Sequence, residues 1–63
     1  MIKLYDKVLY KKTSKEAHVV EIDDDNGTKP PIYLIELDDK PEDADIEEVV
    51  FWCDYDEIEP AVG

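Results

Sequence analysis

The amino-acid sequence predicts an all-β domain of five short strands. Three observations lead to this prediction: β-branched and aromatic residues gather in short runs, turn-forming residues separate these runs, and no segment has the apolar periodicity of a packed helix. A chain of 63 residues has room for one domain with a small core, here residues 1–63. Five short strands without a substantial helix favour a small barrel.

The first two strands are predicted on either side of a polar loop. Lys7–Tyr10 is a short β-prone run, and the polar residues 11–16 that follow it are expected to form the loop. Residues 17–22 are rich in β-branched side chains, which predicts the second strand. This strand ends at residues 23–27 (Asp-Asp-Asp-Asn-Gly), where the Asn-Gly pair supplies the positive φ angles of a hairpin turn.

The third strand is predicted at Ile32–Leu37. Pro30 and Pro31 disfavour a helix before it and remove two backbone donors, so the strand begins directly after them. Residues 40–47 are polar and hold too few apolar side chains to pack as a full helix. We therefore expect a long loop here, with room for a helical turn after Pro41.

The fourth and fifth strands are predicted at residues 48–53 and 58–59. The first of these segments is the most β-prone window of the chain, and residues 54–57 form a turn between the two strands. Pro60 is expected to end the pairing of the fifth strand. Alternation along the β-prone runs predicts a core that includes Val19, Ile35, Leu37 and Val49.

The charge balance narrows the classes of partner. Eighteen acidic residues face seven lysines, there is no arginine, and the formal net charge is −11. Phosphate backbones and anionic membranes attract clustered Lys and Arg side chains, so direct binding to nucleic acid or to a membrane is disfavoured. We expect a soluble monomer or weak homodimer whose partner is a protein or peptide carrying positive charge.

Cysteine and histidine usage gives no support to a metal site. Cys53 is the single cysteine and cannot form an intramolecular disulfide, and the single His18 cannot complete a zinc site with it. The first residues lack the apolar stretch of a secretory signal, and no run approaches the ~20 apolar residues of a membrane span. These features predict a cytoplasmic protein with no cofactor and no bound metal.

Neither the acidic turn nor the histidine has the surroundings of a catalytic or cation site. Residues 23–27 offer several oxygen ligands, but their spacing does not place ligating side chains at the EF-hand positions, so a solvated hairpin tip is the better interpretation. His18 has no catalytic motif around it, and alternation places it on the strand face opposite Ala17. Cys53, at the end of an apolar strand, is interpreted as a small buried hydrophobe. We expect no catalytic residues.

The order of the β-prone segments resembles a known family. The resemblance is to the small SH3-like barrels of bacterial proteins related to the KOW and Tudor groups, and it covers nearly the whole chain. It implies a five-stranded SH3-like barrel in which a one-turn 3₁₀ helix at residues 54–57 precedes the last strand. The segments that carry it are residues 6–9 (Asp-Lys-Val-Leu), 17–23 (Ala-His-Val-Val-Glu-Ile-Asp), 33–37 (Tyr-Leu-Ile-Glu-Leu) and 51–60 (Phe-Trp-Cys-Asp-Tyr-Asp-Glu-Ile-Glu-Pro).

The chain departs from this family in ways that bear on function. Ala17 stands where KOW-type segments usually carry a glycine, and the chain is acidic where the nucleic-acid-binding members are basic. RNA binding is therefore not implied. Tyr5 and Tyr10 are present, but the extended Tyr-rich signature of SH3 domains that read proline-rich peptides is missing.

The aromatic residues are the best candidates for a binding surface. Alternation separates Phe51 from Trp52, so one ring is expected in the core and the other outward near Tyr55, with Tyr10 and Tyr33 as further neighbours to consider. In Tudor-like barrels such rings cage methylated cations, and in SH3 domains they form a peptide groove. The alternative is that the rings only fill a small core.

The sequence thus predicts a non-enzymatic interaction module that binds a basic protein surface or peptide. One alternative is an acidic inhibitor of the kind mobile elements use, which presents carboxylates as DNA presents phosphates, and a segregated stripe of Asp and Glu would favour it. Another is an enzyme or an accessory subunit of a larger enzyme, which a pocket holding His18 beside Cys53 or a carboxylate would favour. The candidate partner-binding residues are Trp52, Asp54, Tyr55, Asp56 and Glu57.

Overall fold

The computed structural model describes residues 2–61; Met1, Val62 and Gly63 of the predicted domain 1–63 lie outside this range. A one-turn helix, α1 (Ile46–Val49), precedes the fourth strand, and a 3₁₀ turn (Tyr55–Glu57) connects the fourth strand to the fifth. The strands are β1 (Lys7–Tyr10), β2 (Lys15–Asp23), β3 (Ile32–Leu37), β4 (Val50–Asp54) and β5 (Ile58–Pro60).

The five strands form one antiparallel sheet in the order β4-β3-β2-β1-β5. β4 and β5 are the two edges, and within residues 2–61 no hydrogen-bonded ladder joins them. The all-β fold with five strands is therefore confirmed, and the sheet is open between its edge strands.

One face of the sheet carries the core. Val8 lies opposite Ala17 and Val19 lies opposite Ile35, so cross-strand pairs of small and branched side chains fill its centre. The predicted core residues are all buried, and Cys53 is buried with them as expected. The buried hydrophobic residues are Val8, Ala17, Val19, Tyr33, Ile35, Leu37, Val49, Cys53 and Ile58.

A register shift in β2 keeps a carboxylate out of the core. Val19 pairs with Ile35 and Glu21 pairs with the neighbouring Leu34, so Val20 is an extra residue between two pairs. Regular alternation from Val19 would turn Glu21 inward. The shift leaves Glu21 exposed and lets the next residue, Ile22, pack against the core.

The connection between β3 and β4 contains more regular structure than predicted. The expected loop at residues 40–47 runs into α1, and the expected strand at residues 48–53 begins only at Val50. The helical turn starts after Asp45, whose C=O accepts a hydrogen bond from the Glu48 N–H at 2.9 Å. A single turn that buries only Val49 leaves no apolar periodicity in the sequence, so this helix could not be detected from the pattern.

Two other strand boundaries also differ from the prediction. β2 begins at Lys15 instead of residue 17, because Lys15 pairs with Tyr10 and lengthens the first hairpin. Pro60 was expected to end pairing but lies in β5 opposite Val8. An edge strand tolerates proline because the missing N–H faces away from the ladder.

The connection between β2 and β3 has the backbone that its sequence predicts. Asp25, Asn26 and Gly27 have φ angles of 52°, 57° and 85°, the left-handed region that Asn and Gly adopt most readily. The residues of this connection from 23 to 30 are exposed, as expected for a solvated hairpin tip. In the described range no helix has the length and apolar character needed to cross a bilayer.

Candidate functional site

Trp52 lies on the face of the sheet opposite the core, which we call the outer face. Its cross-strand partner is Leu34, and both side chains point away from the buried Tyr33 and Cys53 that flank them in sequence. The Trp52 side chain is 46% exposed although it is the largest in the chain. Large exposed rings of this kind are enriched in binding surfaces.

Four further apolar residues occupy outward positions of the sheet. Each is only half-buried, so together with Trp52 and Leu34 they leave a partly solvated apolar patch on the sheet. Leu34 and Ile32 were not predicted as surface residues because β3 is apolar at both inward and outward positions, which hides its alternation. These outward apolar residues are Val20, Ile32 and Val50, with Leu9 further along the face, and Val50 also packs against the edge of the core.

The structure brings two of the predicted binding residues onto this face. Asp54 follows Trp52 by two positions in β4, lies opposite Ile32 and is exposed. Tyr55 and Asp56 lie on the 3₁₀ turn that follows, and the Tyr55 side chain is 53% exposed. Trp52, Asp54, Tyr55 and Asp56 are thus accessible together at the end of an edge strand.

The rings of Phe51, Tyr10 and Tyr33 do not join this patch. Phe51 is half-buried and meets Tyr10 edge-on, with ring centroids 5.2 Å apart and an interplanar angle of 65°. Tyr33 is buried. The expectation that one ring of the Phe51-Trp52 pair faces inward and the other outward is confirmed. Within residues 2–61 the Tyr10–Phe51 pair is the single ring pair, so Trp52 and Tyr55 do not stack on each other.

Glu57 has a structural role in the 3₁₀ turn. Its carboxylate accepts a hydrogen bond from the Asp54 N–H at 2.8 Å, and its second oxygen lies 3.3 Å from Lys12 Nζ. The backbone hydrogen bond from Asp54 and the nearby Lys12 ammonium lower the pKa of Glu57, and Glu57 in turn raises the pKa of Lys12. The Lys11 N–H also donates to the Glu57 C=O at 2.9 Å. Glu57 therefore fastens the turn to the β1–β2 connection.

The outer edge of β4 has few free backbone donors. Alternate N–H groups of a strand point to the same side, and the Val50 N–H donates to the Ile46 C=O at the end of α1. The Asp54 N–H is used by Glu57. Of the alternate positions 50, 52 and 54, two are thus already bonded, which protects this edge against strand addition.

A second group of polar residues lies on the outer face around His18. The His18 ring nitrogen Nδ1 is 2.6 Å from an Asp38 oxygen, and Lys40 contacts Glu36 beside them. These four residues and Leu37 line an open groove of about 330 Å³. Asp38, Glu36 and Lys40 were not singled out from the sequence, because their spacing of 18 to 22 residues from His18 carries no motif.

The His18 groove has no hydroxyl or thiol side chain in its lining. Cys53 is buried on the opposite side of the sheet, where desolvation raises its pKa to about 11. His18 thus lies in a groove beside a carboxylate, the arrangement that favours the enzyme or accessory-subunit alternative, although no hydroxyl or thiol that a His–Asp pair could activate lines this groove.

The carboxylates of the β2–β3 connection are occupied by local contacts. Asp23 accepts a hydrogen bond from the Asp25 N–H at 3.2 Å and lies 3.8 Å from Lys29 Nζ. The Thr28 hydroxyl donates to the Asp25 carboxylate at 2.8 Å. Across the described chain, no three His, Cys, Asp or Glu side chains are placed to hold one metal ion.

Charge is unevenly distributed along the fold. Residues 2–18 carry five lysines and two carboxylates, whereas residues 19–61 carry two lysines and sixteen carboxylates. The first segment forms β1 and the start of β2, so positive charge gathers at one hairpin and negative charge on the rest of the sheet. The net charge of the whole chain does not show this asymmetry, but a separate count of charged residues in each segment of the sequence does.

The Trp52 patch, defined as Trp52, Leu34, Ile32, Val50, Asp54 and Tyr55, combines exposed aromatic, half-buried apolar and acidic residues on one surface. Its geometry suits a ligand with an apolar group and positive charge. Comparisons with protein-family models, with curated proteins and with solved structures find no match for the chain.

Proposed function

We propose that this protein is a non-catalytic interaction module that binds a basic protein surface or peptide through the Trp52 patch. The observation that carries the proposal is the exposure of Trp52 on an outer face where its neighbours are apolar and half-buried. A ring in this position offers a large contact area that a partner can desolvate.

The charge around the patch selects the class of partner. Asp54 lies on the same face as Trp52, and Asp56 follows on the adjoining turn. Neither carboxylate forms a salt bridge with a side chain in the described part of the molecule. A Lys or Arg side chain of the partner can therefore approach these carboxylates while an apolar side chain covers Trp52.

The partner binds through side chains and not by adding a strand. The N–H groups of Val50 and Asp54 are already bonded at the β4 edge, which leaves too few donors for a continuous new ladder. A second copy of the same chain is a poor occupant, because two molecules with a net charge of −11 repel each other.

We also propose that the open sheet belongs to the SH3-like barrels of the KOW and Tudor-like group. The support for this assignment is the 3₁₀ turn at Tyr55–Glu57, which joins β4 to β5 where the resemblance places it. In Tudor-like barrels, exposed rings with nearby carboxylates bind cations, and Trp52 and Asp54 offer such a pair.

Three synthetic peptides test the function. The first has lysines flanking one central leucine, the second replaces the leucine by serine, and the third replaces the lysines by glutamate. The proposal predicts that the first binds most tightly and that Trp52→Ala removes its advantage over the second, with a loss of about 30-fold for a hot spot of about 2 kcal/mol. Ile46→Ala is the matched control, since Ile46 is 71% exposed but lies outside the patch.

If folded Trp52→Ala binds the leucine peptide as the parent does, or if the glutamate peptide binds as well as the lysine peptide, the Trp52 patch is not a binding site for basic ligands. Circular dichroism of each variant establishes that it is folded.

The acidic-decoy function is a second candidate, favoured by the segregation of charge. Residues 19–61 carry sixteen carboxylates and only two lysines, and nine of these carboxylates lie between residues 32 and 54, across β3, β4 and their connection. A decoy competes with duplex DNA for a basic DNA-binding domain, and its affinity falls steeply with salt. Competition that depends on salt but not on Trp52 would favour this function over the peptide-binding one.

The chain itself is expected not to bind duplex DNA or RNA at physiological salt, and a micromolar, salt-sensitive complex measured by fluorescence anisotropy contradicts that expectation.

A further inference from the structure

A second, mostly apolar groove lies at the end of the sheet where the N-terminal segment crosses the β2–β3 hairpin. Its volume is about 480 Å³, within the range of about 300–1,000 Å³ that small-molecule sites occupy. It is separate from the Trp52 patch and shares no residue with it. Its apolar walls are Ile2, Leu4, Ile22, Pro31 and the ring of Tyr33.

Tyr33 contributes a polar group to this groove. Its side chain is only 6% exposed, and its hydroxyl makes no hydrogen bond to another described residue. Because no side-chain oxygen in the described range is both buried and without a partner, the hydroxyl is accessible to solvent, and Tyr33 is one of the residues that line the groove. Desolvation of the ring and the charge of Asp24 raise the pKa of Tyr33, so the phenol is protonated and able to donate at neutral pH.

The lining of the groove contains more positive than negative side chains, although the whole molecule is acidic. Lys3 and Lys29 line it together with one carboxylate, Asp24, whereas the chain has a net charge of −11. Lys29 Nζ lies 3.8 Å from Asp23, and Lys3 Nζ has no carboxylate within 4.0 Å among residues 2–61. Two ammonium groups therefore flank an apolar cavity that contains a hydroxyl donor.

The rim of the groove is fixed by backbone hydrogen bonds. The Asp6 N–H donates to the Lys3 C=O at 3.1 Å, and the Lys3 N–H donates to the Asp6 carboxylate at 2.9 Å. The Tyr5 N–H donates to the Val19 C=O at 2.7 Å. This turn holds Leu4 and Lys3 against the groove, so little ordering is needed when a ligand enters.

We propose that this groove, the Tyr33 groove, binds a small amphipathic carboxylate. The apolar body of the ligand lies against Ile22, Pro31 and the Tyr33 ring, and its carboxylate accepts hydrogen bonds from the Tyr33 hydroxyl and the Lys3 ammonium. Lys29 adds positive charge at the entrance. Because Lys29 is paired with Asp23, the Lys3 ammonium is the charge that favours an anionic ligand over a cationic one.

Octanoate is the probe for this site, with octanol and octylammonium as comparison ligands of the same chain length. Amide chemical shifts of the ¹⁵N-labelled protein are followed during each titration. We expect octanoate to bind most tightly, to shift the resonances of Leu4, Ile22 and Tyr33, and to leave the Trp52 indole resonance unchanged. Equal affinity of octanol overturns the proposed carboxylate recognition, and shifts confined to the Trp52 patch overturn the site itself.

Matched variants separate local recognition from total charge. The double variant Lys3→Gln/Lys29→Gln should weaken octanoate binding at least about threefold, as expected for the loss of exposed ion pairs. Lys11→Gln/Lys15→Gln changes the net charge equally but alters lysines that do not line the groove, and it should bind octanoate like the parent. Tyr33→Phe keeps the ring and should lose about 2- to 10-fold. If the two double variants behave alike, or Tyr33→Phe binds as the parent does, the proposal is wrong.

Discussion

The carboxylate of Glu57 accepts a hydrogen bond from the backbone N–H of Asp54 at 2.8 Å. The donor is the last residue of β4 and the acceptor the last residue of the 3₁₀ turn, so the contact closes the turn on itself. Lys12 lies 3.3 Å from the other oxygen of Glu57 and connects the turn to the first hairpin. Of the five predicted binding residues, Glu57 is thus already occupied inside the molecule.

Glu57→Gln should reduce the loss of stability in acid. The hydrogen bond from Asp54 holds the pKa of Glu57 below its ordinary value of 4.5, so its contribution to stability is present above pH 4.5 and is lost as the pH falls through the folded-state pKa. The parent should therefore lose more free energy of unfolding below pH 4.5 than the variant does. Urea denaturation at a series of pH values measures this difference.

Glu47→Gln is the control for this experiment, because Glu47 is exposed on α1 and the change in charge is the same. At low pH, Glu47→Gln should lose as much free energy of unfolding as the parent protein does. Identical pH dependence in Glu57→Gln and Glu47→Gln contradicts the structural role of Glu57.

Substitutions at neighbouring positions of β3 should destabilise the protein to different extents, because the two side chains lie on opposite faces of the sheet. Ile35 is fully buried, and Ile35→Ala should cost about 2–5 kcal/mol, against about 0.5–1.5 kcal/mol for Ile35→Val. A domain of this size has a total stability of only about 3–9 kcal/mol, so Ile35→Ala removes a large share of it. Leu34→Ala, on the outer face, should cost less than half as much. Chemical denaturation measures each value, and equal costs at the two positions would show that the outer face is covered.

Cys53 should be inert in the folded protein. Burial raises the pKa of its thiol from 9.0 to about 11, so at about pH 8 the thiolate fraction is about 100-fold lower than in the unfolded chain. A thiol reagent should modify the native protein at least that much more slowly than the urea-unfolded protein. Because the neutral thiol is favoured by folding, its contribution to stability is lost as the pH rises from 9.0 towards 11. Rapid native-state modification contradicts the buried position of Cys53.

The sequence predicted the strands better than their ends. Val19, Ile35, Leu37 and Val49 were identified as core residues because β-branched and leucine side chains alternate or cluster in short runs. The helical turn at Ile46–Val49 was missed because four residues are too few to show a period, and β-prone Val49 and Val50 adjoin it.

The candidate site was predicted in part, because alternation separates the two rings of Phe51-Trp52 but cannot say which faces inward. Pairing decides this: Phe51 lies opposite the buried Ile35, and Trp52 lies opposite Leu34. The role of Glu57 and the contact between His18 and Asp38 depend on distances between separate strands and turns. The bond from Asp54 to Glu57 spans three residues, the spacing of a capping box, and could have been read from the sequence, whereas the contacts of Glu57 with Lys12 and of His18 with Asp38 join distant parts of the chain.

Substitutions around Trp52 should affect the dissociation rate and the association rate of the peptide differently. Tyr55→Ala should weaken binding of the leucine-centred lysine peptide by about 1–2 kcal/mol, chiefly through faster dissociation. Charge reversal at Asp54 and Asp56 should chiefly lower the association rate and its dependence on salt. Stopped-flow fluorescence measures both rates, and variants that are folded but kinetically unchanged contradict a role for these residues.

The most direct test of the Trp52 patch uses the indole N–H resonance of Trp52, which is unambiguous because the chain has a single tryptophan. The leucine-centred lysine peptide is added to the ¹⁵N-labelled protein while this resonance and the amides of Leu34 and Asp54 are followed. The account predicts that all three shift together along one saturating curve, and that the glutamate peptide moves none of them. Saturable binding of the lysine peptide that leaves the Trp52 indole resonance unmoved contradicts the account.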